Sequence, residues 1–484
     1  MATRRDQLHS HQFQVQRVVS ALVMRERDPA DPPLRRGRGA VLAAVMVAIL
    51  IAVGSFGYGI WKGSENAALR GNEILLERET GALFVYRDGV LSPVPNYASA
   101  RLLLGAGAPL RALSRETLAV VVSADTRQPP RRGPSLGIAG APGSLPPARE
   151  VAGGPWTICA TTPTTERPSV SILQIGQARS EPALSADAAL LVRDRTQGTV
   201  YLVAGGHRFP IVNSVVRDLF PRASPVTVDH AWIEGLTEGE RIPPVVDYFG
   251  VRFPGTDRSV GDLLSTQGQY QILLENGAYP LGRLQLAAYR EYLAKGGHHI
   301  GEENDVPNIS GRFGRSSYAA GLARAPDGIP SVVPAGKGVC AEYGGPDDPP
   351  TIRVAADLPA DLGVATGTGG TSGVDRVAFT AGGIAVVASD GAAPASGMPT
   401  PSTPEPSNAS EFTLVTEAGT RFRVPSVQDL ERLGYPPKRS VRVPGSLLAL
   451  LPEGPVLSAD DAARAHDTAG TDRARAGLPP SRGS

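Results

Sequence analysis

From residue 198 the chain reads GTVYLVAGGHRFPIVNSVVRDLF, with apolar and polar residues alternating up to a Gly pair and again beyond it. Period-two alternation marks a half-buried strand, and the Gly pair supplies the positive φ of a tight hairpin turn. A Pro then ends the second strand and the apolar spacing becomes helical. The same order recurs in GALFVYRDGVLSPVPNYASARLLL from Gly81, GQYQILLENGAYPLGRLQLAAYREYL from Gly268 and EFTLVTEAGTRFRVPSVQDLERLGY from Glu411. Each copy carries a turn glycine (Gly89, Gly206, Gly277, Gly419) and a proline before its helix (Pro93 or Pro95, Pro210, Pro280, Pro425). The competing reading is four unrelated hairpins, because Gly-turned hairpins are common.

Two correspondences favour duplication. TVDHAWIEGLTEGERIP follows copy two and VRVPGSLLALLPEGPVL follows copy four, so that Val228, Trp232, Ile233, Leu236, Glu238 and Gly239 fall opposite Val443, Leu447, Leu448, Leu451, Glu453 and Gly454. Cys159-Ala160 and Cys340-Ala341 each precede a Pro (Pro168, Pro349) at the same spacing, and then a strand pattern. AALLVRD at 188–194 and GIAVVASD at 383–390 each precede a hairpin copy. The sequence therefore predicts two related halves, roughly 71–255 and 256–457. The fold class is α+β: an N-terminal transmembrane helix, then a mainly β exported domain with pseudo-twofold symmetry, four strand-turn-strand-helix repeats surrounding a central β core. One such repeat buries too little surface to be stable alone, which gives a physical reason for writing it four times.

Ahead of these halves, Val15, Val18, Val19, Leu22 and Val23 follow helical spacing and form one apolar stripe. A cytoplasmic helix with such a stripe is expected to dock on a partner or on the membrane surface, and the residues do not choose between them. Residues 40–61, AVLAAVMVAILIAVGSFGYGIW, carry no charge. At about 1.5 Å per residue this run spans roughly 33 Å, the thickness of a bilayer core. Trp61 and Lys62 follow as interface anchors, and Arg dominates the preceding flank. A cleaved signal peptide would have a shorter leader and core. The reading is a single retained span in the cytoplasmic membrane, N-terminus cytoplasmic, and everything beyond residue 62 outside.

Along the chain the expected order is a cytoplasmic helix and linker at 1–39, the span at 40–61, and repeat 1 at 71–118. Core segment 1 covers 119–195, with a mobile Pro/Gly-rich insert at 126–150. Repeat 2 at 196–255, repeat 3 at 256–317 and core segment 2 at 318–390 follow. A Pro/Ser linker at 391–410, repeat 4 at 411–457 and a disordered tail at 458–484 complete it. The 44 Pro and 56 Gly residues among 484 fit this many turns and connectors. Lys and Arg total 48 against 47 acidic residues, so the chain as a whole carries no electrostatic footprint for nucleic acid.

Cys159 and Cys340 are the two cysteines, and both fall in the exported part, where an oxidising compartment favours a disulfide over two separate buried thiols. No catalytic constellation is visible. PAGKGV at 334–339 and GTGGTSG at 367–373 each lack part of a phosphate-binding loop, and no G-x-G-x-x-G lies between strand and helix. The G-x-S-x-G string GPSLG at 133–137 falls in a Pro/Gly-rich stretch and is not read as a nucleophile elbow. His298-His299 with Glu302 or Glu303 has poor metal-ligand spacing and reads as a polar loop. No metal and no cofactor is expected.

Taken in order, RRDQLHSHQFQVQRVVSAL, the apolar run, the four hairpin repeats and the two Cys segments resemble the EccB family up to about residue 457. EccB proteins are the single-span membrane components of type VII (ESX) secretion systems. The resemblance implies a structural core subunit whose exported domain scaffolds the outer side of the machine, with a disulfide between Cys159 and Cys340. It further implies EccC, EccD and EccE as partners, self-association of exported domains, contact with the lipid bilayer, and the cell wall as a possible further partner. Two alternatives come with it: an ATP-hydrolysing component, since some members are described as ATPases, and a peptidoglycan-binding module.

Overall fold

A computed structural model describes residues 7, 9–15, 17–18, 69, 71–124, 130–165, 167–296, 306, 308–367, 373–380, 382–389 and 411–464. The chain divides into two compact units, one formed by Met1–Arg70 with Ser114–Pro130 and the other by Gly71–Leu113 with Arg131–Ser484. In the first, the backbone is helical at 7, 9–15 and 17–18, and again over Arg115–Ala124. Phe13, Val15 and Val18 are exposed there. Val19, Leu22, Val23 and the apolar run 40–61 lie outside the described residues. Among the described residues no helix is long and apolar enough to cross a membrane.

The second unit is mixed α/β and dominated by sheets. Each of the four expected strand-turn-strand segments forms an antiparallel hairpin: Leu83–Arg87 with Val90–Val94, Val200–Ala204 with His207–Pro210, Gln269–Leu274 with Gly277–Leu281, and Glu411–Thr416 with Arg421–Val424. The first two turns place consecutive residues in the left-handed region, Asp88 and Gly89 at φ 52° and 75°, Gly205 and Gly206 at 56° and 79°. That conformation matches the twist of the strands and explains the glycines. A helix follows each hairpin, at Tyr97–Leu104, Asn213–Leu219, Arg283–Gly296 and Val427–Leu433. Asn96 and Ser426 cap the first and last by accepting from Ser99 N and Asp429 N.

Every module also has a third strand. Ala188–Asp194 and Ile384–Ser389 precede hairpins two and four, and Glu73–Glu77 and Leu263–Thr266 precede one and three. Pro93 and Pro280 lie inside their second strands rather than ending them, with Pro93 O still accepting from Leu136 N at 3.0 Å. A strand Pro loses only its donor, so it is tolerated where the ladder does not need that N–H.

The modules meet in pairs. Ile74, Val85 and Leu102 of the first share a core with Phe422, Leu433 and Leu457 of the last. Leu202, Phe209 and Val216 of the second share one with Leu284 and Ala288 of the third. Between the pairs runs a six-stranded sheet in the order Thr351–Val354, Gly338–Tyr343, Trp156–Thr161, Ser171–Ile175, Arg376–Phe379, Val364–Ala365.

Two boundaries move from their expected places. Within 126–150, expected as a mobile insert, residues 130–150 are fixed: Arg131 and Arg132 pair in parallel with Val90 and Leu91, and Ile138 and Ala141 are buried in the first–last core. Backbone hydrogen bonds to a sheet edge and two apolar anchors overcome the composition. The tail expected from 458 begins with a helix, Ala459–Ala463, capped by Ser458, and Ala462 is fully buried. Residues 391–410 and 465–484 lie outside the described residues.

Candidate functional site

The two Cys segments become adjacent inner strands of the six-stranded sheet, antiparallel, with Cys340 directly opposite Cys159. The sulfurs are bonded, closing a sequence separation of 181, and both residues have no solvent exposure. Side chains alternate between faces along a strand. One face of these strands carries Trp156, Ile158, Ala160, Leu173, Val339, Ala341 and Tyr343 into the central core. The disulfide lies on the other face, with Thr157, Gln174, Glu342 and Arg353 in register beside it.

That second face holds a polar network which the sequence reading missed. Arg179 Nη1 donates to Gln174 Oε1 at 2.9 Å, and Arg179 N donates to Glu342 Oε2 at 2.8 Å. Arg353 donates to Glu342 Oε1 at 2.9 Å and to Glu181 O at 2.8 Å. Arg179 and Glu181 form a further ion pair. Burial acts to raise the Glu181 carboxyl, but the Arg179 hydrogen bond, backbone N–H donation from Glu181 and Ser180, and the Arg179 charge together outweigh it and hold the group below its ordinary range. The members are far apart in sequence, and only the repeated Glu/Arg content of 179–181 and 342–353 hinted at them. The network thus ties loop 176–183 to strands from both halves around the bridge.

The other candidate residues are dispersed. Lys337 of PAGKGV pairs with Asp357 at 2.7 Å on the surface, and Gly338 already belongs to the cysteine strand. Residues 368–372 of the Gly-rich stretch, His298-His299, Glu302 and Glu303 lie outside the described residues. His207 Nδ1 is 2.9 Å from Gly205 O, within its own turn. Among the described residues no group of three or more His, Cys, Asp or Glu is placed to hold a metal ion. A cavity of about 570 Å³ opens between Leu219–Ser224 and Val332–Pro334, and Arg222 is its single charged lining residue. It lacks the converging polar groups of a catalytic pocket.

His230 Nδ1 lies 2.6 Å from Asp194 Oδ2, a structural pairing at the base of hairpin two. Burial would raise the Asp194 carboxyl, but N–H donation from Gln197, the His230 ring and Thr196 N more than offset it, so the group is held below its usual 3.8. A folded-state value below the unfolded one stabilises the fold above about pH 3.8, and this contribution is lost as pH falls through the folded value. Urea melts across roughly pH 5 to 2 are expected to show a shallower acid limb for Asp194→Asn than for wild type. An unchanged acid limb would remove Asp194 from the acid response.

The geometry defines a sheet-rich, disulfide-clasped body assembled from hairpin modules. A family model described as type VII secretion system ESX-1, transport TM domain B (EccB) matches residues 1–471, and the chain belongs to that family. Membership makes it a component of type VII secretion. It is 24% identical over 493 residues to the ESX-1 secretion system ATPase EccB1 of Mycobacterium tuberculosis (strain ATCC 25618 / H37Rv), covering 96% of this chain and 95% of the relative. It is 26% identical over 527 residues to the ESX-5 secretion system ATPase EccB5 of Mycobacterium marinum, covering 98% and 96%. The fold is shared with the EccB3 dimer from the ESX-3 core complex, at TM-score 0.53 and 22% identity over 81% of this chain and all of that one. A chain of the intact ESX-5 inner membrane complex matches at TM-score 0.51 and 23% identity, over 100% and 98%.

Proposed function

We propose that this chain is a non-enzymatic structural subunit of a type VII secretion complex in the cytoplasmic membrane. In this reading residues 40–61 anchor it, the stripe Val15, Val18, Val19, Leu22 and Val23 docks the cytoplasmic helix on the other membrane components, and the body beyond scaffolds the outer side. The observation that carries it is the family match from residue 1 to residue 471, which takes in the N-terminal segment and the apolar run 40–61 as well as the body. The buried disulfide supports an oxidising location for the body. EccC, EccD, EccE and a second copy of this chain are the proposed partners; self-association is supported by the dimeric state of the ESX-3 relative.

The duplicated, pseudo-twofold architecture is part of the proposal, and matched contacts support it. Arg208 pairs with Glu238 at 3.2 Å and Arg421 with Glu453 at 2.9 Å. A Cβ on Gly239 would lie 2.2 Å from the Phe209 ring, and one on Gly454 would lie 2.3 Å from the Phe422 ring. Val226 lies parallel to Val192, and Val441 parallel to Val387. The rigid body that results suits a scaffold.

Deleting residues 8–27 is expected to leave the body folded while removing the chain from the high-mass band on native gels of solubilised membranes. An unchanged band would overturn the docking role. The second reading, ATP hydrolysis, rests on the names of the relatives. Purified full-length protein is expected to give no turnover above a Lys337→Ala control; turnover lost in that variant would favour the enzyme.

A further inference from the structure

The segments leading into the two cysteine strands each serve both halves. Residues 131–152 first follow the hairpin module of their own half. Gly133 N donates to Leu91 O at 2.9 Å, Ala98 N to Pro142 O at 3.1 Å, and Asn96 Nδ2 to Ile138 O at 2.7 Å. They then cross to the fourth module, where Pro146 O accepts the Tyr435 hydroxyl at 2.8 Å and Val151 and Ala152 pair in parallel with Ile384 and Ala385.

Residues 315–333 make the converse crossing. Ser316 N donates to Ala278 O at 3.0 Å and Leu284 N donates to Asp327 O at 3.1 Å, both within the third module. Toward the second module, Glu240 N donates to Ala323 O at 2.9 Å and Glu240 Oε1 accepts from Ala325 N at 2.7 Å. Ser331 and Val332 then pair in parallel with Ala188 and Ala189.

We propose that these segments are reciprocally exchanged straps, each tying a hairpin module of its own half to a sheet of the other half. Modules one and four then open as one cooperative unit and modules two and three as another. The shared cores point the same way: Ile138 and Ala141 of the first strap are buried between modules one and four, and the second strap packs Ala323, Ala325 and Val332 against the core joining modules two and three. Cooperative opening follows contiguous buried contacts and hydrogen bonds, and in these two cores they cross between halves. The inference goes beyond the scaffold reading and does not depend on which partners the chain has.

The test is hydrogen exchange read by mass spectrometry on the detergent-solubilised full chain. Gly382 has φ 78°, and a Cβ there would lie 1.5 Å from Glu150 O, so Gly382→Ala pushes the first strap off its sheet. Exchange is expected to rise roughly tenfold across 131–152, 83–94 and 411–424, the order produced by losing one or two hydrogen bonds, with 200–210 and 269–281 unchanged. A Cβ on Gly282 would meet Asp327 Oδ1 at 2.7 Å and its Cα at 3.0 Å, so Gly282→Ala is expected to give the opposite pattern. Should Gly382→Ala fail to fold, Tyr435→Phe removes only the hydroxyl that reaches Pro146 and is expected to give the first pattern at a few-fold size. Equal rises in all four modules, or a rise confined to 382–389 with 83–94 unaffected, would overturn the exchange.

Discussion

Cys159→Ser is expected to lower the unfolding free energy of the body by up to about 5 kcal/mol, the loop-closure value for a sequence separation of 181. The substitution is nearly isosteric, so the loss reports the released loop more than altered packing. Cys340→Ser should match it, and the double variant should cost little more than either single one, since one substitution already removes the bond. Urea melts of detergent-purified protein provide the comparison. A single variant with the wild-type midpoint would show that the bridge constrains nothing. The residues have no solvent exposure, so a reductant is expected to act only as fast as the strands around them open.

Trp232→Ala is the second large effect, an expected loss of about 3–5 kcal/mol. Trp232 is fully buried on the helix His230–Gly235, whose N-cap Asp229 accepts from Ala231 N at 3.0 Å. It shares the central core with Ile158, Leu173, Val339 and Leu447, the last being the residue at the corresponding place after hairpin four. Truncation leaves a cavity on the apolar side of the cysteine sheet, where close-packed neighbours cannot collapse far. Trp232→Leu, imitating Leu447, should cost clearly less. Equal losses for the two variants would mean that filled volume at this position does not matter.

Local signals made the hairpins legible. Asp88-Gly89, Gly205-Gly206 and Gly419 mark turns by the φ they require, and period-two alternation sets the flanking strands. The equivalence of the two cysteine segments was also open to inspection, because Cys159 and Cys340 stand at equal spacing from Pro168 and Pro349, whereas their register on adjacent strands was not. Long-range partners were not legible. Gln174, Arg179, Glu181, Glu342 and Arg353 meet across separations such as 163 and 172 residues, and no periodicity encodes that meeting. The strands Glu73–Glu77 and Leu263–Thr266 were missed because each precedes the turn signal that defined its module. Residues 131–150 were misread because Pro and Gly suggest a connector, whereas Leu91 O and Pro93 O supply the acceptors that hold them. In the N-terminal stripe Val15 and Val18 are exposed, and the proposed docking role is a matter for the deletion experiment.

The core uniting the first and last modules has a temporal consequence. Ile74 and Leu102 find their neighbours among Leu414, Phe422 and Leu457, more than three hundred residues downstream. A chain emerging from its N-terminal end must therefore hold its earliest apolar strands uncovered until its latest ones arrive. Contacts so remote in sequence close slowly. The union of the first and last modules is therefore completed only when synthesis is nearly finished, whereas modules two and three, neighbours in sequence, can close earlier.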